Sequence, residues 1–334
     1  MASMKRIVTG LLAAGLLLNA APTPKKSLLV LSKGDLVLSI VDPVSLKVLA
    51  TAPSGPDPHE VVASSDGKFA YISNYGGGAH NTLTVVDLIA QKTVETVDLG
   101  ALRGPHGLHF SGGKVWFTAE PNKAIGTYDP ATKKVDWVLG TGQDRTHMIW
   151  VTNDQKRFYT TNVNAATVSI VEYAGAGRGG RGGPMGEWAQ TVVPVGKGAE
   201  GFDVSPDGKE LWTANAGDGT VTVIDIASRK AVQTIAAEVT GANRLKFTPD
   251  GKHVFISTLS GKDATILDAG KRTVLKRLPT GRAAGIEMQP DGARVFIACT
   301  PENHIAIVDL KTLEMTGRLE AGKNPDGLAW AEQK

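Results

Sequence analysis

An acidic residue that ends a short Val/Ile-rich segment recurs at a nearly fixed interval, and no other feature limits the fold as much. It stands at Asp42, Asp87, Asp129, Glu172, Asp225, Asp268 and Asp309, with gaps of 45, 42, 43, 53, 43 and 41 residues. The stretch 198–235 (GAEGFDVSPDGKELWTANAGDGTVTVIDIASRKAVQTI) shows what each period contains. It reads as four short strands, 202–204, 210–214, 220–224 and 230–235. Thr220 to Ile224 alternates polar and apolar residues, the period of a half-buried strand. Asp207-Gly208 supplies a tight turn between the first two. A period near 43 with four strands per unit indicates a β-propeller, and seven markers give seven blades. The fold class is therefore all-β, a seven-bladed β-propeller with four-stranded antiparallel blades.

The ends of the chain fit a closed ring. Residues 27–52 supply only the second to fourth strands of a blade, and 324–330 supply a lone first strand. Pairing them completes one blade and removes two open sheet edges. The Asp-Gly turn recurs at Asp66-Gly67, Asp250-Gly251 and Asp291-Gly292. The second strand recurs as Tyr71-Ile72-Ser73-Asn74, Tyr159-Thr160-Thr161-Asn162, Trp212-Thr213-Ala214-Asn215 and Phe255-Ile256-Ser257-Thr258. These strands, the Asp-Gly turns and the Val-x-Asp third strands resemble the YVTN-repeat β-propeller family (YncE-like), over essentially the whole chain after the leader. One blade, 104–129 (GPHGLHFSGGKVWFTAEPNKAIGTYD), resembles streptogramin (virginiamycin B) lyase propellers in Pro-His-Gly, Val-Trp-Phe-Thr and Ile-Gly-x-x-Asp.

Residues 1–21 read as a secretory signal peptide: a basic Lys5-Arg6, an apolar run over 7–18 and small residues at Ala20 and Ala21. The apolar run is short for a membrane span. A single propeller domain over 22–334 is then expected, exported to the periplasm, without a membrane span in the mature chain and monomeric. Formal net charge is +3, and removing Lys5 and Arg6 leaves +1. Near-neutral charge gives no general footprint for nucleic acid. The lone cysteine, Cys299, lies in the apolar run Val295 to Cys299, which excludes an internal disulfide and suits a buried core thiol. No Cys-x-x-Cys-His exists, so no covalent haem is held. The long gap contains a Gly/Arg-rich insertion over 175–186, read as a solvated loop on the face opposite the channel mouth. The marker acids suit local capping of the turns between third and fourth strands.

In a propeller the first strand of each blade lines the central channel, so equivalent residues in the loops leading into these strands form a ring. The alignment gives His59, His106, His147, Glu200, Asn243, Ala284 and Asp326. A ring three residues deeper reads Val62, His109, Trp150, Asp203, Lys246, Glu287 and Ala329; its alternating charges suggest mutual pairing across the channel. The leading loops also carry Arg103, Arg145, Arg244 and Arg282. Neutral imidazoles at His59, His106 and His147 can ligate a divalent metal, with Glu200 or water completing the shell. Without a metal, a histidine beside an arginine can act as a base next to an anion-holding group. The bland alternative is a histidine that only ties its own loop.

The leading expectation is a binding or interaction protein presenting this His/Glu/Arg mouth to a small molecule, metal or protein partner. His59, His109, Arg103, Asn243, Arg244, Arg282 and Asp326 would be its ligand-contacting residues. The alternative is a lyase or lactonase, with His106 and His147 as bases or metal ligands, Glu200 as acid/base and Arg145 as oxyanion holder. The resemblance to exported YVTN propellers implies a third reading, single-stranded DNA binding through Arg244, Arg282 and Lys262, against which the net charge speaks.

Overall fold

The computed structural model describes residues 22–175 and 187–334. The leader and the Gly/Arg-rich insertion lie outside the described residues, apart from Gly175 at the insertion's start. Among the described residues there are seven four-stranded antiparallel sheets, arranged as a seven-bladed β-propeller. Blade 1 is built from Lys26–Ser32, Val37–Asp42 and Lys47–Pro53, completed by the C-terminal strand Pro325–Glu332. That last strand pairs antiparallel with the first, Leu28 opposite Trp330 and Leu29 opposite Ala329. The expected closure is therefore present. The inner strands of blades 2 to 7 are Pro58–Ala63, Pro105–Ser111, Thr146–Val151, Ala199–Val204, Ala242–Phe247 and Ile286–Met288.

The core consists of apolar clusters pressed between neighbouring blades. One joins Trp212, Val221 and Val223 of blade 5 to Leu245, Val254 and Ile256 of blade 6. Another joins Leu29, Leu38 and Ile40 of blade 1 to Val61, Ile72 and Val86 of blade 2. The alternating sequence produces this, because each middle strand has a neighbouring blade on both faces. Cys299 sits fully buried among such residues, and burial raises its thiol to about 11, so it is a core side chain.

The repeated residues have local tasks. In the first turn of several blades a hydroxyl donates to the Asp, as Ser205 does to Asp207 (2.7 Å) and Thr248 to Asp250 (2.7 Å). Gly208 follows with φ of 71°, which glycine adopts without steric cost. The marker acids cap the later turn as expected: Asp225 accepts from the Ser228 amide and Asp309 from those of Lys311 and Thr312. Glu172 departs from this pattern and pairs instead with Arg157 and Arg229 (2.5 Å each).

The Ser or Thr of the second strand has the most consequence for the channel. Thr118 accepts from the Gly107 amide in its own blade and donates to the His147 carbonyl of the next (2.9 and 2.7 Å). Ser73 does the same between the Glu60 amide and the His106 carbonyl (3.0 Å each). Thr161 reaches the Glu200 carbonyl (2.8 Å). These hydroxyls tie blade 2 to blade 3, blade 3 to blade 4 and blade 4 to blade 5 at the residue that faces the channel mouth.

Candidate functional site at the channel mouth

Inner strands approach closely at the position after the ring residue. A Cβ on Gly107 would lie 2.5 Å from the His147 carbonyl oxygen, and one on Gly201 would lie 2.5 Å from Arg244 Cα. Glycine at these positions lets adjacent strands touch and brings successive ring side chains into contact. The imidazoles of His59 and His106 have centroids 4.3 Å apart, and those of His106 and His147 are 3.7 Å apart at an interplanar angle of 34°. Sequence register alone placed these three together.

His147 is the centre of the cluster. Its Nδ1 is hydrogen-bonded to Glu120, and its Nε2 lies 2.6 Å from Glu200 Oε2, a charge contact more than an aligned hydrogen bond. Burial alone would depress this histidine, but the carboxylates of Glu200 and Glu120 outweigh it and raise His147 to about 9. It is therefore an imidazolium at neutral pH. Burial pushes Glu120 and Glu200 upward, yet contact with His147 and Arg145 holds both below the ordinary carboxylate value. Arg145 spans both acids at 3.5 Å each. Tyr75 donates its hydroxyl to Glu120.

The other two histidines are neutral. His106 is buried, and burial together with the charge on His147 holds it well below the ordinary histidine value. Its Nδ1 has no hydrogen-bond partner among the described residues. Burial lowers His59 to about 4, against the opposing pull of Asp326. Its Nδ1 accepts from Lys33 Nζ at 2.6 Å, and Lys33 also pairs with Asp57 (3.1 Å) and Asp326 (3.2 Å).

The structure thus brings together Arg145, His106, His147 and Glu200, with His59 and Asp326 alongside. Other candidates stand apart. Arg103 is exposed and donates to the Ala79 carbonyl, and Arg282 is exposed as well. Arg244 is buried and paired with Glu60 from the opposite side of the channel, so neither ligand nor nucleic acid meets it freely. Asn243 is buried, with its Oδ1 unpartnered among the described residues. His109 lies deeper, beside Trp150 (centroids 5.7 Å apart). The expected pairing of Asp203, Lys246 and Glu287 is corrected: no ion pair joins them among the described residues. Asp203 instead accepts from the amides of Val204 and Phe247 (3.0 Å each), because backbone donors lie closer than the lysine.

Sequence register missed Lys33, Glu60 and Tyr75, and gave Glu120 no role. Glu120 and Tyr75 come from loops between second and third strands, whose reach depends on loop shape. The one available signal was that these loops share a face with the ring.

His106, Glu120 and His147 each offer a ligand atom, and these atoms lie within 4.8 Å of one another, all on buried residues. Two imidazoles and a carboxylate form a donor set suited to a divalent transition metal.

No protein-family model matches the chain. No curated protein sequence matches it either. Among solved structures, the chain is similar to Kuenenia stuttgartiensis hydrazine synthase, with a TM-score of 0.66 and 20% identity over 82% of this chain and 89% of that one. A functionally unknown protein from Desulfotomaculum acetoxidans gives a TM-score of 0.74 at 12% identity, over 92% and 99%. A 6-phosphogluconolactonase candidate from Bacteroides uniformis gives 0.71 at 16% identity, over 92% and 99%. At these identities the likeness is one of fold, the seven-bladed β-propeller.

Proposed function

We propose that this chain is an exported YVTN-type propeller that binds a divalent transition metal at its channel mouth, through His106, His147 and Glu120, with Glu200 as a fourth donor. The observation that carries the reading is the buried His106–Glu120–His147 cluster, whose His106 Nδ1 lacks any hydrogen-bond partner among the described residues. Charge supports a cation over an anion. Asp57, Glu60, Glu120, Glu200 and Asp326 face Lys33, Arg145, Arg244 and the His147 imidazolium, five negative groups against four positive. Every one of those cations already has a carboxylate partner. A divalent ion that displaced the His147 proton would bring the mouth from −1 to neutrality. Metal–ligand bonds of about 2.0–2.2 Å require the donors to draw together, which side-chain rotation within a channel allows.

The enzyme alternative depends on the same site. Arg145 is engaged by Glu120 and Glu200, so it cannot hold an oxyanion until those carboxylates turn to another cation. Were a metal held by His106, His147 and Glu120, with Glu200 alongside, it would supply Lewis-acid chemistry for a lyase or lactonase reaction, and Arg145 would be free to face substrate. Leader-directed export sets the compartment in this reading.

The test is elemental analysis of the mature, tag-free protein and of His106→Ala and Glu120→Gln variants, each incubated with zinc or manganese and desalted. The reading expects about one metal per chain in the parent and less than a tenth of that in both variants. Equal metal in parent and variants, or none in any, overturns it.

A further inference from the structure

Below the mouth the channel continues into a second chamber with a volume of about 270 Å³. The Arg244–Glu60 ion pair crosses the channel and contributes to its lining. The chamber is lined by the aromatic side chains of His109, Trp150 and Trp330 and by Lys246 and Glu287. Among the described residues, Glu287 has neither a hydrogen-bond nor an ion-pair partner.

A charge count isolates this carboxylate. Arg244 and Glu60 cancel each other. Lys246 interacts with both Asp203 and Glu287, and the oxygens of Asp203 are tied to backbone amides. Burial and the charge of Lys246 lower His109 to about 4, so it is neutral. Two carboxylates therefore share one lysine, and Glu287 is the one of the two that lines the chamber. Burial raises Glu287 to about 7, with Lys246 opposing and Asp203 adding to the rise, as expected of a carboxylate short of a cation. Aromatic faces attract cations through their negative quadrupole, most strongly for Trp and most usefully where water is excluded.

We infer that this lower chamber is a binding site for a small organic cation, an amine or quaternary ammonium, with its charge against Glu287 and its body against Trp150 and Trp330. The site uses none of the mouth's metal donors, so the two proposals stand or fall separately.

The test uses benzyltrimethylammonium and its anionic counterpart benzoate, followed by calorimetry and tryptophan fluorescence in the presence of EDTA. The chamber predicts saturable binding of benzyltrimethylammonium with a change in tryptophan emission. Glu287→Gln, which keeps the shape and removes the charge, should weaken binding at least tenfold, and Trp150→Leu should also weaken it. Binding by the unmodified protein should weaken as pH falls from 8 to 6, a readout available even if a variant fails to fold. Preferential binding of benzoate, or binding of the cation unchanged by Glu287→Gln and by pH, overturns the proposal. Absence of binding by either probe does so too.

Discussion

Removing the His147 side chain leaves two buried carboxylates facing one another with only Arg145 between them. The side chains of His147 and Glu120 are 2% and 5% exposed, and that of Glu200 is 13% exposed, so water screens the repulsion little. Stripping one partner from a buried ion pair typically costs about 3–5 kcal/mol. The pKa of His147 gives a similar size: a rise from 6.5 to about 9 corresponds to roughly 3 kcal/mol. Unfolding entropy near 2.1 cal/mol/K per residue, over a chain of this length, converts this into a fall in Tm of roughly 5–8 °C for His147→Ala. The pH dependence distinguishes this cause from a simple cavity. Because the folded pKa of His147 is raised, its stabilisation is fully present below 6.5 and is lost as pH rises through about 9. In the variant, Glu120 and Glu200 lose their imidazolium, and burial then favours protonation, so the variant recovers stability toward pH 5. The gap between parent and variant should be widest near pH 7 and narrower at both pH 5 and pH 9.5. Thermal and urea unfolding in EDTA at these three values measure it. A gap that is the same at all three, or below 1 kcal/mol at pH 7, would refute the clamped-imidazolium account.

Three further outcomes are expected. Thr118→Val leaves the Gly107 amide and the His147 carbonyl unpartnered inside the protein, which should cost about 1–3 kcal/mol in urea unfolding, whereas Thr118→Ser should retain most of the stability. Deleting 326–334 removes the strand that closes blade 1, so calorimetry should show a broad or absent transition in place of a sharp one; a truncated protein melting as sharply and at the same temperature would contradict ring closure. Gly107→Ala forces a Cβ against the His147 backbone and should lower Tm by several degrees, and an unchanged Tm would show that the inner strands are not held so tightly.

The fold was legible because a propeller repeats its instructions. The marker acid, the Asp-Gly turn and the Ser/Thr of the second strand each perform the same local task in several blades, so their periodicity survives in one dimension. The ring of His59, His106, His147 and Glu200 was legible for the same reason, since register along equivalent strands fixes position around the channel. What register could not give is how far a side chain reaches. Glu120 meets His147 from the preceding blade's loop, and Arg244 turns inward to meet Glu60 when its place in a leading loop suggested an exposed cation. The charges of Asp203, Lys246 and Glu287 were located correctly, but their partners were not. Whether a carboxylate takes a lysine or a backbone amide is settled by differences of an ångström or so. Strand spacing does not encode such differences.

The central claim is that His106, His147 and Glu120 hold a metal ion. Anomalous diffraction at the zinc edge, from crystals of the tag-free protein grown with one equivalent of zinc, tests it most directly. The account predicts a single strong peak in the channel mouth, about 2.0–2.2 Å from a nitrogen of His106, a nitrogen of His147 and an oxygen of Glu120. A mouth with no peak, and with His147 still clamped between Glu120 and Glu200, would contradict it.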